Sequence, residues 1–127
     1  MSYLLIVDDD EDFSSAAAKS LRDEGHEVRV ELDISNAEKS IGERKPDLLI
    51  LDVMFPEDSS AGFSFARKMR LDGTLKDIPI LMLTAVNSIT RLGFGATDID
   101  DAWMPVNDFM EKPVSLDQLA KKVSKML

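Results

Sequence analysis

Short apolar blocks alternate along the chain with stretches in which apolar residues recur every three or four positions. Residues 3–7, 48–51 and 80–83 are such blocks, apolar throughout. Runs this short, apolar on both faces, predict strands buried inside a parallel sheet. After the first block, Phe13, Ala16, Ala17 and Leu21 fall at helical spacing, with Ser14, Lys19 and Arg22 on the opposite side. Gly25-His26 reads as the helix stop and turn. Residues 27–32 then alternate, with Val28, Val30 and Leu32 on one face, which suits a strand nearer the sheet edge. Ser35 and Glu38 have capping-box spacing and open a helix that carries Ala37 and Ile41.

Lys45-Pro46-Asp47 ends that helix and leads into the 48–51 block, which stops abruptly on Asp52. A loop over 55–61 follows, then a helix in which Phe63, Ala66 and Met69 share a face. The block at 80–83 ends on Thr84. Residues 85–106 are the least regular part: Gly93, Gly95 and Pro105 interrupt them, so any helix there is short or broken. A last strand is expected over 106–111, closed by Lys112-Pro113. Ser115 and Gln118 then cap a helix that aligns Leu116, Leu119, Ala120, Val123 and Leu127. Five strand–helix units in one doubly wound α/β sheet are the expected architecture.

Composition narrows the function classes. At 127 residues the chain is read as a single domain, 1–127, large enough to bury a core without disulfides. There is no Cys, so thiolate metal sites and thiol nucleophiles are excluded. A net charge of −9 argues against nucleic acid, which needs clustered Lys and Arg. The first apolar run is too short for a signal peptide or a membrane span, which points to a cytoplasmic protein. Much of the acid is local, in Asp8-Asp9-Asp10-Glu11-Asp12 and in Asp98, Asp100 and Asp101. His26, the only histidine, reads as a turn residue rather than a ligand or phosphocarrier.

The strand ends carry the chemistry. The first ends at Asp8-Asp9, the third at Asp52, the fourth at Thr84 and the fifth at Lys112. In a parallel sheet all of these lie on the carboxyl edge, where open α/β sheets bind ligands. Three carboxylates in one cleft repel one another and favour a divalent cation, and an all-oxygen set suits Mg²⁺. A hydroxyl and an ammonium opposite them favour an anion such as a phosphoryl group. Together they describe a phosphoryl-transfer site.

On these residues the chain resembles the response-regulator receiver domains of two-component signalling. The matching pieces are Leu4-Leu5-Ile6-Val7-Asp8-Asp9-Asp10, Lys45-Pro46-Asp47 leading to Asp52, Pro79-Ile80-Leu81-Met82-Leu83-Thr84-Ala85, and Asp108-Phe109-Met110-Glu111-Lys112-Pro113. The ordered set is specific, although no single piece is. The resemblance implies a flavodoxin-like, five-stranded sheet of order 2-1-3-4-5. It implies that Asp52 accepts a phosphoryl group from a histidine kinase or a phosphotransfer protein. Mg²⁺, or Mn²⁺, would be held by Asp9, Asp52 and the Met54 backbone carbonyl, with Asp8 supporting the site directly or through water. Lys112 would pair with a phosphoryl oxygen and Thr84 would bond another. Phe109 takes the position of the family's switch aromatic, with ordinary core packing an equal reading. Met54 and Val86, both apolar, stand where the family controls access of water to the acyl phosphate, so slow self-dephosphorylation is expected.

The departures concentrate elsewhere. The helix after Ser35 is about one turn short for the family, and the loop 56–62 carries about two extra residues. Thr84 and Lys112 stand 28 positions apart, several more than is usual, so the fourth helix is expected to be remodelled or shortened. Trp103, the only Trp, falls in that segment, either packing the loop onto the sheet or anchoring a partner. The expected role is a phosphorylation switch, stand-alone and like the chemotaxis receivers, without an output domain and not itself a turnover enzyme. It would signal to a protein target through the face near 85–112. Two other readings stand beside it: an aspartyl-phosphate phosphatase of haloacid-dehalogenase type, carried by Asp8-x-Asp10, and a pseudo-receiver that binds a partner without phosphorylation. The first leaves Asp52 unexplained; the second leaves a complete site without a use.

Overall fold

The computed structural model describes residues 2–52, 61–73, 75–85, 108–112 and 114–127. The elements in order are β1 (Tyr3–Val7), α1 (Glu11–Asp23), β2 (Glu27–Glu31), α2 (Ile34–Glu43), β3 (Leu48–Asp52), α3 (Ala61–Leu71), β4 (Ile80–Ala85), β5 (Asp108–Lys112) and α4 (Leu116–Met126). The strands form one sheet of order β2-β1-β3-β4-β5, and every pair is parallel. This is an α/β, flavodoxin-like architecture. No helix of the described residues is long and apolar enough to cross a membrane.

The strands are apolar on both faces because both faces are covered. Side chains alternate across a strand, and β1 and β3 divide accordingly. Leu5, Val7, Leu49 and Leu51 pack with Ala37 and Ile41 of α2 and with Phe65, Ala66 and Met69 of α3. Leu4, Ile6, Leu48 and Ile50 pack with Ala17, Ala18 and Leu21 of α1 and with Leu119 and Val123 of α4. Each fully buried aliphatic side chain contributes roughly 1.5–3 kcal/mol from removal of apolar surface from water. A one-residue slip of β3 would exchange its two faces and shift Asp52 relative to Asp8, which the observed register sets beside it past the Val7–Leu51 pair.

Several sequence expectations are corrected. The cap of α2 is Asp33 and not Ser35: Asp33 has extended φ and ψ, −149° and 166°, and its carboxylate accepts the Asn36 N–H at 2.8 Å. The Asn36 side-chain amide donates to the other Asp33 oxygen, also at 2.8 Å. Ser35 lies inside the helix, where its backbone cannot take up the extended conformation a cap requires. Leu32 lies beyond the end of the edge strand β2 and is 39% exposed. Leu127 is exposed after the last turn of α4, and Met126 packs on the core in its place. Phe65 of α3 is also buried; the expectation that Phe63 shares the buried face falls on a side chain outside the described residues. The cap at Ser115 is present, its hydroxyl accepting the Gln118 N–H at 3.4 Å.

Met54, Val86, Asp98, Asp100, Asp101 and Trp103 lie outside the described residues, as does the segment expected to hold the remodelled helix.

Candidate functional site

The strand register builds the site. Val7 lies beside Leu51, so Asp8 and Asp52 are the next residues on two neighbouring strands. Asp52 lies beside Leu83, which places the Thr84 backbone one step further along β4. On β5, Glu111 lies beside Thr84, and Lys112 beside Ala85. All four strand ends therefore meet at the carboxyl edge. The backbones of Thr84, Phe109 and Lys112 are described there; their side chains are not.

The edge has its own topological reason to be a cleft. From β1 the chain passes to β2 on one side of the sheet, and β3 pairs on the other side. The connections thus diverge between β1 and β3, the switch point where doubly wound sheets bind their ligands. Asp8 and Asp52 stand at that point.

Carboxylate oxygens of Asp8, Asp9 and Asp52 all lie within 4.8 Å of one another. Asp8 is fully buried, Asp52 is 4% exposed, and Asp9 is exposed, so the cluster opens to solvent on the Asp9 side. At such separations each pair of ionised carboxylates repels by about 3 kcal/mol at an effective dielectric constant of about 20. Burial increases the need for a counter-charge. The all-oxygen donor set fits a hard divalent cation. Asp9 and Asp52 could hold it, with Asp8 behind them.

The acid run after β1 divides into distinct jobs. Asp8 Oδ1 accepts the Asp10 N–H at 2.9 Å, and the Asp8 N–H donates to the Glu31 carbonyl at 3.1 Å. These bonds hold the loop in place and orient Asp8. Asp10 is the cap of α1, accepting the Phe13 N–H at 3.1 Å, while Glu11 and Asp12 occupy the first turn. Acid there complements the positive end of the helix dipole. Only Asp8 and Asp9 of the run therefore belong to the site. The role of Asp10 had a visible signal, an acid three residues before Phe13 at a helix start, but the surrounding acids hid it.

A carboxylate absent from the sequence-level site is Asp47. Its side chain accepts the Tyr3 N–H at 2.8 Å, and its own N–H donates to the Tyr3 carbonyl at 2.7 Å. It ties the start of β1 to the start of β3, at the edge opposite the cluster.

These features define a class: a doubly wound parallel α/β domain with a carboxylate cluster at its switch point. A family model, the response regulator receiver domain, matches residues 4–124. The chain belongs to that family, whose receiver domains are generally non-enzymatic signalling switches of two-component systems. The chain is 34% identical to the phosphate regulon transcriptional regulatory protein PhoB of Pseudomonas aeruginosa, over 98% of this chain and 51% of that protein. It is 30% identical to the DNA-binding dual master transcriptional regulator RpaA of Synechocystis, over 100% of this chain and 49% of that protein. The chain thus spans about half the length of these curated relatives. Among solved structures, the chemotaxis response regulator CheY4 of Vibrio cholerae aligns with a TM-score of 0.83 at 28% identity, covering 100% of this chain and 99% of that one. A putative response regulator from Chloroflexus aurantiacus aligns with a TM-score of 0.82 at 32% identity, covering 98% and 96%.

Proposed function

We propose that Asp52 is the phosphoryl acceptor of a signalling switch, loaded by a histidine kinase or a phosphotransfer protein. The observation that carries this reading is the buried Asp52 carboxylate within 4.8 Å of the Asp8 and Asp9 carboxylates, at the end of a strand flanked by those of Asp8 and Thr84. An Asp52 oxygen attacks phosphorus. The bond from phosphorus to the donor nitrogen breaks, and the donor imidazole keeps the electron pair. The product is an acyl phosphate, and water later releases inorganic phosphate and restores the carboxylate.

Bound Mg²⁺, or Mn²⁺, would offset the negative charge that builds on the transferring group. Asp9, Asp52 and the Met54 carbonyl would hold it. The Lys112 ammonium would pair with one phosphoryl oxygen and the Thr84 hydroxyl would bond another. Movement of Thr84 toward the new group, accompanied by Phe109, would reshape the face near 85–112 by which a protein target is read. That face includes the segment read as a remodelled helix, with Trp103 in it. The working compartment on this reading is the cytoplasm.

The test is incubation with a small phosphodonor and Mg²⁺, followed by intact mass and peptide mapping. Stoichiometric gain of one phosphoryl group on Asp52 is expected. Repeated turnover of donor, or labelling at Asp8, would replace the switch with a phosphatase. Absence of labelling, with unchanged partner binding, would leave a pseudo-receiver.

A further inference from the structure

A second concavity lies at the opposite end of the molecule from the carboxylate cluster. It is a cleft of about 420 Å³ between the last turns of α2 and α3. Both turns precede the amino ends of strands, β3 and β4 respectively, so the cleft belongs to the other sheet edge. Its volume is within the range of pockets that take small organic ligands, roughly 300–1,000 Å³.

The floor is apolar. Ile41, Phe65 and Met69 are buried there as part of the core, and Leu75 packs on them from the loop after α3. The wall formed by α2 is missing a side chain because Gly42 occupies its penultimate position. A Cβ placed on Gly42 would meet nothing within 4 Å. Gly42 therefore contributes to the opening.

The rim is charged, and its charges are not equally engaged. Lys68 is paired with Glu38 at 3.0 Å, and Asp72 has interactions of its own. Lys45 also lines the cleft, and it makes no ion pair among the described residues. An ammonium beside an apolar floor favours a ligand with a negative head and an apolar body, since its long stem can lie along that body while the head pairs.

We propose that the α2–α3 cleft binds an amphipathic monoanion, a medium-chain carboxylate being the simplest example. Its apolar body would lie on Ile41, Phe65 and Met69, and its head would pair with Lys45.

The test is a titration of the folded chain with decanoate below its micelle concentration, followed by amide resonances in two-dimensional NMR. Saturable shifts are expected at Ile41, Gly42, Lys45, Met69 and Asp72. Gly42→Leu, whose Cβ would meet nothing within 4 Å, is expected to weaken decanoate by about tenfold or more while the melting temperature holds or rises. Lys45→Gln is expected to weaken decanoate by about three- to tenfold and to leave decanol unchanged. Non-saturable shifts, or decanoate affinity unaltered by Gly42→Leu, would overturn the site. Equal affinity of the wild-type chain for decanoate and decanol would overturn the anionic class.

Discussion

Strand β3 has an aspartate at each end, and the two have opposite fates. Asp47, just before the strand, is exposed as a residue, yet its carboxylate is spent on the Tyr3 N–H at 2.8 Å. Arg44 adds to that corner by lying 4.1 Å over the Tyr3 ring and pairing with Glu27 at 2.6 Å. Asp52, at the other end, is buried among like charges. At this corner of the amino edge the groups thus satisfy one another. The carboxyl edge instead gathers three carboxylates within 4.8 Å of one another. Such a cluster of like charges is poor for stability and suited to binding a cation.

The contrast can be broken most sharply by exchanging the fates of the two acids. Asp52→Asn should reduce phosphoryl labelling by about a thousandfold or more, because the amide is no nucleophile. The same variant should melt at or above the wild-type temperature, since one repelling charge is gone. Asp47→Asn should label normally. Equal loss in both variants, measured by intact mass after donor treatment, would erase the distinction.

Cation binding gives the next largest difference. Asp9→Asn should weaken Mg²⁺ by at least about tenfold, read from a metal titration of intrinsic fluorescence or NMR shifts. Asp47→Ala should not change it. A wild-type affinity in Asp9→Asn would remove Asp9 from the ligand set.

Stability should show the reverse ranking. Asp47→Ala leaves the Tyr3 N–H without its acceptor and should cost about 1 kcal/mol in urea unfolding. Asp9→Asn should be neutral or slightly stabilising by the same measurement.

The smallest effect concerns pH. The Arg44 guanidinium, chiefly by hydrogen bonding and then by charge, holds the Glu27 carboxyl below its ordinary value of 4.5. A lowered folded-state pKa means stabilisation that is present above the unfolded value and lost as pH falls through the folded one. The difference in urea midpoint between wild type and Glu27→Gln should therefore exist at neutral pH and shrink below about pH 4.5. A difference that grew on acidification would contradict this direction.

Much of the frame was legible because its signals are local. Four fully apolar residues before Asp52 suit a strand covered on both sides, as β3 is. Helical spacing placed Ala17 and Leu21 on α1, and Leu119 and Val123 on α4, all of which are buried. The misreadings came where several residues could play one part. Ser35 and Asp33 both offer a side-chain oxygen near the start of α2, and backbone conformation chose Asp33. Leu127 and Met126 compete for one surface, and the end of the helix decided between them.

By itself, then, the sequence determined the alternation of strands and helices, the end of β3 on Asp52, and the acid that had to gather if the strands ran parallel. Those follow from periodicity and composition, which act over a few residues at a time. Only the tertiary structure decided which acids share a site. Asp8, Asp9 and Asp52 come together because the register sets Val7 beside Leu51. Asp10 and Asp47, equally acidic in the sequence, are drawn away by an N–H of α1 and an N–H of β1. A carboxylate's role depends on which donor or charge reaches it first, and that is a property of packing, which no stretch of sequence contains.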